Sequence, residues 1–358
     1  MFLFSNVLYR LFFASISCIF LRRMYVQALL ALLFPLFSGD YVWGQSAPKA
    51  AVETHRALII SGGGSRVSWG AGFAKALVAS GKSYKTVGGS SAGALIMSSV
   101  ILNQFDELEQ LFDTITNKNV YNKNPINKRG RIKVLKTIWR TIWGKPAGGD
   151  TKNLRKTIEK TFTQQDYDEI QKRGHSIFCI TTSLNTSKKQ IISSVNTSYG
   201  QLLDWICASA SVPVLTPPIR KEGQSWVNGG LLDNVPIGGA LLSGANEIDV
   251  IVLFPKERDY WESQHKIPRI SLRTLEIMLQ SSYRGSIELG KLMAQMKKGG
   301  RLNLYYISKV DSEFVGNVFS FNHKNLAPAF QRGSVAFINN TATLRSYRVD
   351  DMGNFIQE

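Results

Sequence analysis

Short apolar runs and amphipathic stretches alternate along the chain from residue 57 onward. Residues 57–61 (Ala-Leu-Ile-Ile-Ser) form an unbroken apolar run of strand length that stops at three glycines, which predicts a buried strand. Residues 84–87, 176–182 and 248–254 repeat that pattern, with 303–307 as a further strand. Helical spacing marks 69–79, 92–102, 152–162, 199–208 and 272–296. Strands separated by helices in this way predict an α/β fold with a mostly parallel sheet flanked by helices. In such sheets the active site lies at the carboxyl ends of the strands. No linker interrupts 45–358, so we expect one domain there, with a motif-bearing core over 57–254 and a helical C-terminal extension over 255–358.

Residues 1–44 differ from the rest. They hold four charges (Arg10, Arg22, Arg23 and Asp40) and two apolar runs, 11–21 and 24–36. The arginine pair keeps either run below the length of a spanning helix. An apolar run behind a basic pair, followed by small residues near 44–47, predicts an export signal over 1–44. The alternative is a retained membrane anchor. On the export reading the protein is periplasmic or secreted and peripheral to a membrane.

Apolar residues make up 44% of the chain and charged residues 19%, which excludes a disordered chain. The 43 Lys+Arg exceed the 26 Asp+Glu by 17, an excess that suits an anionic partner. Three cysteines (Cys18, Cys179, Cys207) and four histidines build neither a disulfide framework nor a cysteine-rich zinc site. No metal or organic cofactor is implied.

Gly89-Ser90-Ser91-Ala92-Gly93 is a G-x-S-x-G between an apolar strand and an alanine-rich helix. That is the context of a nucleophile elbow, which exposes a serine hydroxyl at a helix N-terminus. Earlier, Gly62-Gly63-Gly64-Ser65-Arg66 again joins a strand to a helix. Consecutive glycines let backbone N–H groups converge on an oxyanion, and Arg66 adds positive charge. A dinucleotide loop fails there because Val67 takes the last glycine position. Such a serine needs a base. Downstream, His175, His265 and His323 are the candidates, none within a motif.

These two blocks are followed by Ala208-Ser209-Ala210-Ser211-Val212-Pro213 with Pro217-Pro218, then by Asn228-Gly229-Gly230 and Leu-Leu-Asp-Asn-Val-Pro. The ordered set resembles the patatin-like phospholipases. The resemblance implies a three-layer α/β/α fold and a Ser–Asp dyad, without histidine, that cleaves fatty acyl esters of lipids. Ser91 then matches the nucleophile, Gly62, Gly63 and Gly64 the oxyanion loop, and Arg66 its basic position.

Two positions depart from that pattern. Asn228 stands where the family has the dyad aspartate, and an amide cannot accept the serine proton. Val67 replaces a glycine; if the backbone there needs a positive φ, the β-branched residue would be strained. Three outcomes follow: a lipid-binding protein that does not hydrolyse, slow hydrolysis through Asp233, a histidine or water, or an Asn228 that deamidates ahead of Gly229.

Between residues 118 and 160 stand thirteen Lys+Arg against two acids, Asp150 and Glu159. Within this stretch, residues 131–143 have helical periodicity. Ile132, Leu135, Ile138, Trp139, Ile142 and Trp143 share one face, and Lys133, Lys136, Thr137 and Arg140 the other. Lys133, Trp139, Arg140 and Trp143 are therefore candidates for binding an anionic membrane surface. The alternative is a helix packed on its own domain. No nucleic-acid motif is present, and nucleic acid is not an expected partner.

The expected function is thus a serine acyl hydrolase of lipids using Ser91. The alternative is a lipid-binding pseudoenzyme of the same fold.

Overall fold

The computed structural model describes residues 54–358 except 126, 128–132, 134–138, 141, 257–266, 296–299, 351–354 and 358. The expected export segment, 1–44, lies outside the described residues, as does His265.

The strands are β1 (Arg56–Ile60), β2 (Thr86–Ser90), β3 (Ser176–Ser183), β4 (Lys189–Ser193), β5 (Ile219–Lys221), β6 (Gln224–Asn228), β7 (Glu247–Val252), β8 (Arg301–Tyr306), β9 (Thr343–Val349) and β10 (Phe355–Gln357). They form one mixed sheet in the order β10-β9-β8-β7-β1-β2-β3-β6-β5, with β4 also on β3. The five central strands, β8 to β3, run parallel, and antiparallel strands flank them on both sides. The parallel centre is apolar on both faces because both are covered. In β1, Leu58 and Ile60 enter one core with the helices Val67–Ala79, Phe105–Thr114, Tyr199–Ser209 and His323–Ile338. Ala57 and Ile59 enter the other, beneath the helices Ile237–Leu242 and Ile267–Gln295. The result is the expected α/β/α sandwich.

The region beyond residue 254 is not only helical. It supplies β8, β9 and β10 and completes the sheet. It also clamps the helix that follows the glycine loop. The helices Val67–Ala79 and His323–Ile338 cross at Gly72 and Gly333, where a Cβ on Gly72 would stand 1.8 Å from the Phe330 carbonyl oxygen. Buried Asp311 ties the crossing together, accepting from Trp69 Nε1 (3.2 Å) and Arg332 Nε (2.7 Å).

Alanine favours a helix interior over glycine by about 1 kcal/mol. The overlap at Gly72 outweighs this, because overpacking costs about 1–3 kcal/mol and here the obstacle is backbone. Gly72→Ala is therefore expected to lower Tm in scanning calorimetry by about 2–4 °C. A rise in Tm would show that the two helices part freely.

Candidate functional site

Register on β3 brings the site together. Thr181 of β3 pairs with Gln190 of β4 on one edge and with Asn228 of β6 on the other. That second edge belongs to β2 up to Ser90, which lies opposite Ile180. β2 thus ends where β6 arrives from the opposite direction, and Ser91 and Asn228 meet at the seam. β1 lies on the other side of β2, with Ile60 opposite Gly89, so the glycine loop that follows it opens onto the same point.

Ser91 has φ +53°, a left-handed conformation unusual for a residue other than glycine. It follows extended Ser90 and opens a 3₁₀ turn, Ser91–Leu95, ahead of the helix Met97–Ile101. The turn closes tightly because Gly93 lies against β1, where a Cβ would meet the Ile60 carbonyl oxygen at 2.2 Å. The Ser91 N–H donates to Oγ of fully buried Ser209 (2.9 Å), which holds the elbow from the helix Tyr199–Ser209.

Asn228 is buried, and its side chain is fixed at both ends. Its Oδ1 accepts the Gly230 N–H at 2.8 Å, and its Nδ2 donates to Ser91 Oγ at 2.8 Å. Flipping the amide would lose the first bond and set Nδ2 against an N–H. The group facing the serine is therefore a donor, and it has no lone pair with which to take the serine proton. The Ser91 hydroxyl donates to no described residue.

The glycine loop is divided in its roles. The Gly62 N–H already serves Asn234, donating to its Oδ1 (3.1 Å) and its backbone oxygen (3.3 Å). The N–H groups of Gly63 and Gly64 donate to no described residue. Gly64 has φ +58°, and a Cβ there would lie 2.0 Å from the Val318 carbonyl oxygen. The same oxygen accepts from Ser65 N–H (2.8 Å), so the loop is shaped by a segment more than 250 residues away. Arg66 is buried, its guanidinium 5.6 Å from the Phe254 ring centroid. Val67 has φ −58° and ψ −25°, ordinary helical geometry, so the strain anticipated for a β-branched residue does not arise.

Ser91, Asn228, Gly62, Gly63, Gly64 and Arg66 all line one cavity of about 380 Å³. Its walls are largely apolar: Leu95, Val120, Leu154, Val212, Leu215, Phe254, Leu279, Val318, Phe319 and Phe321. Among the described residues no histidine lines it. Asp233, the alternative acid, is held in an ion pair by Lys189 (2.5 Å) and does not line it either. Among the described residues no cluster of His, Cys, Asp or Glu gathers that could hold a metal ion. Sequence reasoning left Ser209 and Asn234 without roles, although both stood inside the quoted motif blocks. The wall supplied by Asn317, Val318, Phe319 and Phe321 carried no sequence signal.

Of the basic amphipathic stretch, Lys133, Trp139, Arg140, Ile142 and Trp143 are described. Trp139, Ile142 and Trp143 are 63%, 72% and 67% exposed, with the two indoles 6.0 Å apart. Arg140 donates to the carbonyls of Ala147 (2.9 Å) and Gly149 (3.0 Å), and Lys133 to that of Asn124 (3.2 Å). The next turn pairs with the cavity wall, Gly149 N–H donating to the Leu215 oxygen at 2.9 Å. Among the described residues no helix is long and apolar enough to cross a membrane.

The family model described as patatin-like phospholipase matches residues 58–241, just over half of the chain. The chain is 26% identical over 195 residues to Lysophospholipase NTE1 of Candida glabrata, a match that covers 53% of this chain. It spans only 10% of that protein's length. Among solved structures, VipD from Legionella pneumophila aligns over 83% of this chain and 68% of its own, with a TM-score of 0.39 and 17% identity.

Cys207, half-buried on the helix that holds the elbow, has its thiol pushed up to about 11 by burial, and it does not line the cavity. At pH 8 such a thiol carries about a hundredfold less thiolate than an ordinary one. Iodoacetamide is therefore expected to label Cys207 in the native protein about a hundredfold more slowly than in the unfolded chain, measured by peptide mass. Equal rates would show that burial does not suppress the Cys207 thiolate.

Proposed function

The chain belongs to the patatin-like phospholipase family, and from that premise we propose that it is a lipid acyl hydrolase whose turnover is held low by Asn228. The observation that carries this is Ser91 itself, in a left-handed elbow on the wall of an apolar cavity that also contains Gly63 and Gly64. The alkyl chain of a lipid ester lies along the apolar wall. Ser91 Oγ attacks the carbonyl carbon, and the Gly63 and Gly64 amides stabilise the oxyanion that forms. The tetrahedral intermediate expels the alcohol, and water then releases the fatty acid from the acyl-serine. The Ser91 proton passes to water, because Asn228 offers a donor and not a base. A positioned general base contributes about 10²–10⁴ in rate, and this is the factor the wild-type chain forgoes.

On a fluorogenic acyl ester, the purified chain is expected to turn over slowly and Ser91→Ala not at all. Asn228→Asp is expected to raise kcat/KM by about two to four orders of magnitude. A wild-type rate unchanged by Ser91→Ala would remove Ser91 from the reaction.

A membrane surface suits the exposed Trp139, Ile142 and Trp143 beside a strongly basic segment. Indoles favour the interface, and lysines and arginines favour anionic headgroups. Trp139→Ala with Trp143→Ala is expected to weaken sedimentation with phosphatidylserine-containing vesicles at least about tenfold, with melting unchanged. Binding that survives both changes would place the docking surface elsewhere.

A further inference from the structure

Taking the cavity as an acyl site, as the preceding reading does, we infer that its preferred occupant is a long-chain carboxylate: the site is a receptor for free fatty acid anions as well as an esterase centre. The polar groups that line the cavity together with Ser91 carry this. Asn228 presents Nδ2, because its Oδ1 is committed to the Gly230 N–H. Asn234 lines the same cavity, but both ends of its amide are taken up by Gly62, Oδ1 accepting from the N–H and Nδ2 donating to the carbonyl oxygen (3.5 Å). The Ser91 O–H and the N–H groups of Gly63 and Gly64 serve no described residue. Asn228 Nδ2, the Ser91 O–H and the Gly63 and Gly64 N–H groups are therefore the donors, and a carboxylate is an acceptor with two oxygens and about four lone-pair positions.

Charge points the same way. Among the described residues that line the cavity, Arg66 is the one charged side chain and none is a carboxylate. The nearest acid in sequence, Asp233, is neutralised by Lys189 outside the lining. An aspartate at position 228 would put a negative charge against Ser91 and repel an anionic head, whereas the amide both removes that charge and turns an acceptor into a donor. The one substitution that costs the site its base therefore completes an anion-binding head on an apolar cavity. At about 380 Å³ the cavity is within the usual size of small-molecule sites. Leu95, Leu154, Val212, Leu215, Phe254 and Phe319 supply the wall for a single alkyl chain.

Isothermal titration of the full chain at pH 8 with dodecanoate and with dodecanol tests this, since the alcohol keeps the chain, lacks the charge and is not a substrate. Dodecanoate is expected to bind at least about tenfold more tightly than dodecanol. Asn228→Asp is expected to lose about tenfold or more for dodecanoate while holding dodecanol affinity within about threefold, which also reports an intact cavity. Ser91→Ala, which removes one donor and no charge, is expected to weaken dodecanoate severalfold and dodecanol not at all. Equal affinity for acid and alcohol overturns the inference, as does dodecanoate affinity unchanged in Asn228→Asp. The hydrolase reading fails separately. Selective dodecanoate binding without Ser91-dependent ester cleavage leaves the receptor standing alone, and Ser91-dependent cleavage without selective binding leaves only the esterase.

Discussion

The shared edge of β3 is the constraint on which the site depends. A parallel strand and an antiparallel strand occupy that edge in succession, β2 as far as Ser90 and β6 back from Asn228. Backbone pairing on both sides of the seam sets the serine and its partner side chain within hydrogen-bond distance, and no flexible loop separates them. A residue carried on β6 can slip out of register only by shifting its ladder, which would turn each side chain to the opposite face. The precision of the Ser91–Asn228 contact is thus a property of the sheet. The C-terminal region supports the same point from the other side. Val318 shapes the glycine loop, and the Gly72–Gly333 crossing anchors the helix that follows it.

Much of this was legible in the residues. The buried parallel strands announced themselves as continuous apolar runs, and β1, β2, β3, β7 and β8 all lie close to where those runs stand. Ser91 and the glycine loop were visible because their conformations need particular residues at short spacing. The flanking antiparallel strands were not. β5 and β6 are short and mixed in polarity, and their only local signal is the turn at Glu222-Gly223. Both residues there have positive φ (52° and 71°), as a two-residue hairpin turn needs. Glutamate is a weaker marker of that turn than asparagine or aspartate. The helix His323–Ile338 carries Pro328 in its interior, a residue that argues against a helix in sequence terms.

Ser209 and Asn234 show a different limit. Each acts through a hydrogen bond to one backbone N–H, 118 and 172 positions away. Local periodicity cannot encode such a partner, because only the fold determines which amide is left over. The ordered motif blocks marked both segments without assigning either residue a task. Val67 errs in the other direction. The expected strain rested on a backbone conformation borrowed from glycine, and the chain instead begins its helix at that residue.

Asn228 unites these observations. Its environment is the one a buried aspartate would want: a backbone N–H for one oxygen and a serine hydroxyl for the other. The amide is isosteric with a carboxylate, and relative to an aspartate it reverses the direction of the hydrogen bond to Ser91. On the proposed hydrolase reading, that reversal separates two properties that normally travel together. On that reading, stabilisation of negative charge falls to the Gly63 and Gly64 amides and to Arg66, while no side chain is left to take the serine proton. A site that, on the proposed reading, stabilises negative charge but lacks a side-chain base for its serine favours ligands that arrive already charged. The elbow strain at Ser91 fits that balance, since it keeps the hydroxyl presented to the cavity whether the occupant is an ester to be attacked slowly or a carboxylate to be held.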